Sequence, residues 1–305
     1  MLVTGAAGFI GSNLVRHLVQ SNAIVTAGVR PHSDLRRLRA VQQYITLTQL
    51  DLTQVDEEAL KVDLAGTQIV FHLASAGVNP AQQNAESIFQ ANVMGTLHLL
   101  QAARAWEIER FVYCGSCFEY PSGSHLTEDV LPAPTAEYGA SKASGWILAE
   151  TFFRRYGLPV ISLRPFTVYG PQEGAHRLIP QTIQKALSGG HFELTGGEQT
   201  RDFVFVEDVV EAFLAAATAS SKALGKTFNV CTGEETSVKA LVSMVIELTG
   251  SDVEPLFGAL PYRETELWQL SGDPTRAAVG LRWKAKTSLR DGLAKTIQWF
   301  RSTSE

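Results

Sequence analysis

The chain has 305 residues, 31 acidic against 26 basic side chains and a formal net charge of −5, which suits one large domain or two interlocked ones. With no long basic run, nothing points to nucleic acid or an anionic membrane as partner, and no apolar stretch reaches the ~18 residues of a membrane span. Three cysteines are too few for a disulfide framework, and the N-terminus enters a strand at once, so a cytoplasmic protein without a signal peptide is expected.

In chain order, residues 1–3 give the end of a short strand and 13–19 an amphipathic helix. Apolar strand-like runs follow at 23–29, 45–50, 68–73, 110–114 and 159–163, with helical spacing at 87–106 and 138–156. Short, continuously apolar strands separated by helices predict an α/β fold, a Rossmann-type doubly wound parallel sheet covered on both faces. Proline and glycine punctuation increases after Tyr169, where strict alternation fades. The division expected is 1–168 for the sheet domain and 169–305 for a smaller α/β lobe. A segment near 203–233 returns towards the sheet, with 227–230 as its strand.

Between the first strand and first helix stands Thr4-Gly5-Ala6-Ala7-Gly8-Phe9-Ile10-Gly11. Such a turn aims backbone N–H groups and a positive helix end at a phosphate pair, and glycine lets both chain and ligand approach closely. A dinucleotide is the ligand this predicts; the plain alternative is an ordinary tight turn. The second strand runs into Val29 and Arg30, without the acidic residue that would bond a free ribose 2′-hydroxyl. Arg30 sits where a 2′-phosphate would lie, which favours NADP(H) and leaves NAD(H) as the alternative. Arg37 and Arg39 read as a solvated helix face. Asp51 is placed to accept from an adenine amino group or to cap its own turn.

Tyr138 and Lys142 lie one helical turn apart on one face, where an ammonium would lower the phenol's pKa towards proton-transfer duty. Ser116, just past the fifth strand, can reach the same point. The plain alternative for a Tyr-x-x-x-Lys pair is a half-buried helix face; its place after five strands of a glycine-led sheet makes it more specific. Cys114 and Cys117 flank Gly115-Ser116 at redox spacing, but packing explains them better. The seven histidines show no metal spacing, and no metal is expected.

The glycine triplet, Phe71-His72-Leu73-Ala74, Asn92-Val93-Met94-Gly95-Thr96, Ser116 and Tyr138/Lys142 together resemble the extended short-chain dehydrogenase/reductases. Arg164-Pro165-Phe166-Thr167-Val168-Tyr169-Gly170-Pro171, Arg201-Asp202-Phe203 and Gly272-Asp273-Pro274 resemble the branch acting on nucleotide sugars. The likeness runs the whole length, in order. It implies Tyr138 as proton donor or acceptor, Lys142 as holder of the nicotinamide ribose, Ser116 on the substrate oxygen and Asn92 in support of the relay helix. It also implies that Gly5, Gly8, Phe9, Ile10, Gly11, Asp51, Leu52, Leu73, Ala74, Ser75 and Pro165 line the cofactor. Cys117, Thr167, Arg201 and Arg263 would line the substrate, the two arginines on its diphosphate; without the resemblance they would be surface ion-pair partners. The implied assembly is a homodimer built on helices 87–106 and 138–156.

Two departures narrow the activity. Sugar-nucleotide 4,6-dehydratases carry an acidic pair after the serine or threonine, where this chain has Cys117-Phe118. Many epimerases have asparagine where this chain has Thr167. The leading expectation is an NADPH-dependent 4-ketoreductase of a nucleotide-linked deoxysugar, with an NAD-dependent 4-epimerase as the alternative. A reductase of a non-sugar carbonyl and a non-enzymatic scaffold follow behind.

Overall fold

A computed structural model of the protein describes residues 1–54, 60, 65–78, 84–190, 192–264 and 266–303. The apolar runs form strands β1 (Leu2–Thr4), β2 (Val25–Val29), β3 (Ile45–Gln49), β4 (Ile69–His72) and β5 (Arg110–Cys114), followed by β6 (Gly123–Leu126) and β7 (Val160–Pro165). With β8 (Thr227–Val230), all but β6 join in one seven-stranded sheet, ordered β8-β7-β5-β4-β1-β2-β3. Every pairing in it is parallel.

Successive strand residues point to opposite faces, so each strand feeds two cores. Val3, Phe71, Val112 and Ile161 meet Leu14, Val15 and Leu18 of α1 (Phe9–Gln20) and Val209 and Phe213 of the helix Val206–Thr218. Their neighbours Leu2, Val70, Phe111 and Val160 face the other side, against Leu99, Leu100, Ala149 and Phe152. Burial on both faces is why these strands read as unbroken apolar runs.

The single helix expected over 87–106 is three pieces: α2 (Ala85–Phe89), a π-helical turn Gln90–Met94, and α3 (Gly95–Ala105). An unbroken apolar period concealed the turn, which Asn92 occupies with its side chain fully used. Such π turns recur at functional sites. α4 (Glu137–Tyr156) packs beside α3 and carries Tyr138 and Lys142.

Past Tyr169, a separate core gathers Tyr169, Phe203, Phe205, Ile183, Leu241 and Ile297. Its four-stranded sheet joins Thr236–Ser237, Thr200–Arg201, Gln269–Gly272 and β6. β6 thus leaves the first half of the chain to pair in parallel with Gln269–Gly272, while β8 returns from the second half to lie beside β7.

Candidate active site

Strand order reverses at β1, whose neighbours β2 and β4 lead to opposite sides, so the carboxyl ends of β1 and β4 border a crevice. Gly5 there has φ 67°, and a Cβ on it would stand 2.7 Å from the Ala74 nitrogen. Only glycine fits both the left-handed turn and that approach. No side chain caps α1, and its first turn holds no acidic residue. Its leading amides, among them those of Phe9, Ile10 and Gly11, are ones a helix cannot satisfy internally. A bare, positively polarised cradle of this kind fits the pyrophosphate of a dinucleotide.

Behind the cradle a buried relay fixes β1, β4 and the π turn. The Ala74 N–H donates to Thr4 Oγ1 at 3.1 Å, and Thr4 Oγ1 lies 2.8 Å from His72 Nδ1. His72 Nε2 lies 2.9 Å from Thr96 Oγ1, which donates to the Asn92 carbonyl at 2.6 Å. Because the Thr96 proton is committed there, Nε2 carries the imidazole proton and Nδ1 accepts from Thr4. Burial, helped by nearby Lys142, pushes His72 down to about 3, so the ring is neutral. The Asn92 side chain brackets Ala76, accepting from its N–H at 2.7 Å and donating to its carbonyl at 3.0 Å. It also donates to Ser141 Oγ at 2.8 Å, and Ser141 in turn donates to the Tyr138 carbonyl at 2.8 Å.

Ser116 follows β5 as N-cap of the short turn Cys117–Glu119; its Oγ accepts from the Phe118 N–H at 3.2 Å. With that lone pair occupied, the hydroxyl proton is free to be donated. Tyr138 stands near Ser116, whose hydroxyl acts on its phenol, and edge-on to Phe118, ring centroids 6.2 Å apart. Gly139 brings α4 this close: a Cβ there would drive into the Phe118 carbonyl and sit 2.9 Å from Pro134. Lys142 is buried, its Nζ 4.6 Å above the Tyr113 ring, while Tyr113 Oη donates to the Lys142 carbonyl at 2.9 Å.

The electrostatics correct one expectation. Burial raises the Tyr138 phenol above the usual tyrosine range, with the Ser116 hydrogen bond pulling the other way. Burial lowers Lys142, against upward pulls from Cys114 and Glu119. The anticipated lowering of Tyr138 by Lys142 is overridden by desolvation, and the ammonium faces Tyr113 instead. Cys114 and Cys117 are buried thiols, pushed by burial up to about 11 and about 12, which suits packing rather than redox work. Among the described residues no cluster could hold a metal.

Sequence reasoning missed the buried acid of this turn. Glu119 Oε1 accepts from the Ser116 N–H at 2.7 Å, and its Oε2 pairs with Arg164 Nε at 2.7 Å, both side chains almost wholly buried. Arg164 also donates to Tyr120 Oη at 2.8 Å. Glu119 stands three residues after Ser116, a capping-box spacing that was the available signal.

The remaining predicted residues spread around the crevice. Leu73, Ala74 and Ser75 follow β4 half-buried, Leu52 is buried against Gly95, and Pro165 ends β7. Asp51 accepts from both the Thr53 N–H and its hydroxyl, capping its own turn. Arg30 is exposed and makes no side-chain hydrogen bond or ion pair among the described residues. Arg37 departs from the solvated reading: half-buried, it donates to the Gln172 carbonyl at 2.9 Å and the Ala7 carbonyl at 3.4 Å. Arg16 reaches the Gln172 side chain beside it. Cys117 senses the charges of Arg177 and Arg201, so both guanidiniums lie near the Ser116 turn. Arg201 pairs with Glu266 at 2.5 Å and donates to the Leu267 and Thr200 carbonyls. Thr167 lies half-buried with its N–H on the Asp202 carbonyl, and Arg263 is exposed.

A glycine cradle at the switch point of a doubly wound sheet, facing Ser116, Tyr138 and Lys142, defines a nucleotide-cofactor enzyme of the extended short-chain dehydrogenase/reductase type. The family model of the NAD dependent epimerase/dehydratase family matches residues 1–231. The chain belongs to that family. It is 33% identical to the UDP-glucose 4-epimerase of Mycolicibacterium smegmatis, over 100% of this chain and 99% of that one. Among solved structures, the UDP-glucose 4-epimerase of Thermotoga maritima with UDP-glucose is 30% identical with a TM-score of 0.91, over 100% and 99% of the two chains. MoeE5 in complex with UDP-glucuronic acid and NAD is 35% identical with a TM-score of 0.88, over 99% of each chain.

Proposed function

We propose that the protein is an NAD-dependent nucleotide-sugar 4-epimerase. The relatives' names support this reading over the 4-ketoreductase favoured from the sequence. The observation that carries it is the state of the acid nearest Ser116. A 4,6-dehydratase needs free acidic groups to move protons during water loss, whereas Glu119 is locked between the Ser116 amide and Arg164.

Bound NAD would supply the acceptor for the sugar C4 hydride and the donor that returns it to the opposite face of the ring. The positive charges of Lys142 and of the oxidised nicotinamide would offset the burial that raises Tyr138, so that its phenolate form accepts the C4 hydroxyl proton and gives it back while Ser116 holds the oxygen through its hydroxyl proton. Arg201 and Arg177, near the Ser116 turn, suit a diphosphate, and Arg201 would exchange its Glu266 contact for it.

NAD is the cofactor of the solved neighbour MoeE5. Arg30, free at the surface, and Arg37, without an ion pair among the described residues, are what speaks for NADP(H). Two copies would pair through α3 and α4, where Ile147 stands 52% exposed; light scattering showing only 33.2 kDa at micromolar concentration would refute this. Three unpaired cysteines suit a cytoplasmic setting, and a measured export of the chain would overturn it. The deciding experiment is incubation of the purified protein with UDP-glucose and separately with UDP-galactose. Interconversion is expected; reduction of a 4-ketosugar without it would restore the ketoreductase.

A further inference from the structure

The geometry points to Glu119 as the residue that positions Ser116 against Tyr138, with Arg164 as its anchor. Ser116 and Tyr138 stand on different elements, a turn after β5 and the start of α4, and no strand pairing fixes one to the other. The link runs through Glu119. One carboxylate oxygen takes the Ser116 N–H and the other takes Arg164. The Arg164 guanidinium lies between two rings, 4.7 Å from Tyr120 of the Ser116 turn and 4.6 Å from Trp146 of α4. Tyr120 Oη continues to Asn229 Oδ1 at 2.9 Å, on β8. Gly115 makes room, since a Cβ there would stand 2.5 Å from Glu119 Oε1. A buried ion pair contributes little net stability, whereas loss of one partner strands a charge, so this pair's value lies in geometry. Small displacements of a catalytic group are costly to turnover.

The inference rests on the reading of Ser116 as catalytic, and its test uses pairs of substitutions that leave no charge stranded. Glu119→Met/Arg164→Met keeps volume but removes the acceptor for the Ser116 amide. Glu119→Gln/Arg164→Met restores an acceptor oxygen without charge. The readout is the steady-state rate of sugar-nucleotide conversion, followed by chromatography of the products, which epimerase, reductase and dehydratase reactions share. Failure of the epimerase reading would appear separately, as absent sugar interconversion. The first pair is expected to slow kcat about 10–100-fold with KM within about twofold, and the second to stay within a few-fold of wild type. In a Ser116→Ala background the first pair should add nothing further. Wild-type kcat in the first pair, or equal slowing with and without Ser116, overturns the assignment. If the first pair does not fold, the second decides alone: a loss of about tenfold or more overturns it.

Discussion

Asn92 Nδ2 donates to Ser141 Oγ across 2.8 Å, tying the π turn directly to the helix that carries Tyr138 and Lys142. Three bonds from one amide hold Ala76 and Ser141 together in the interior. Asn92→Ala is therefore expected to lower unfolding stability by about 2–4 kcal/mol, since buried polar groups lose their partners. Denaturant unfolding checks this, and an unchanged midpoint would show that water takes over the bonds.

His72 makes stability depend on pH. Its folded value of about 3 lies below the ~6.5 of an unfolded histidine, so the unfolded chain binds a proton that the folded one rejects. The contribution is complete above about pH 6.5 and is lost as pH falls towards 3, by up to about 1.4 kcal/mol per unit. Unfolding from pH 7 to 4 should give a shallower slope in His72→Gln than in wild type. Parallel curves would place the titration elsewhere.

Removal of the Tyr138 hydroxyl deletes the proton transfer while leaving the glycine cradle intact. Tyr138→Phe is expected to lower kcat about 10²–10⁴-fold, with cofactor content unchanged. Full turnover in this variant would remove Tyr138 from the mechanism.

Mass spectrometry of the purified protein is expected to find retained NAD. An empty protein that binds NADPH reversibly would reverse the cofactor assignment. In that case Arg30→Ala should weaken NADPH by about 1.5–3 kcal/mol and spare NADH.

Arg201 supports the nucleotide-sugar substrate. Arg201→Ala should raise KM for the sugar nucleotide about 10–100-fold, the equivalent of losing charged hydrogen bonds worth about 1.5–3 kcal/mol. A small uncharged carbonyl compound assayed in parallel should be indifferent. If both KM values rise together, the Glu266 contact is the arginine's whole role.

The parts of this molecule legible in its sequence are those written as local periods. β4, β5 and β7 announce themselves because burial on two faces demands apolar residues at every step. Tyr138 and Lys142 are legible because four residues make one helical turn. The Glu119–Arg164 pair joins residues 45 apart, a distance over which no local pattern carries information. Arg37 looked solvated because its neighbours Arg36 and Arg39 are exposed; its partners, Ala7 and Gln172, come from remote turns. β6, Gly-Ser-His-Leu, has no apolar alternation at all and is a strand only because Gln269–Gly272 lies beside it.

That exchange of strands bears on how the molecule can be recombined. A chimera that grafts a relative's substrate lobe at a single joint near Tyr169 would separate β6 from Gln269–Gly272 and leave β8 without its own neighbour β7. Each crossing strand would then face a foreign edge. Specificity can be transplanted in this architecture only by moving several dispersed segments at once, 123–126 with the lobe and 227–230 with the sheet. Substitutions within the crevice offer the shorter route to a new substrate.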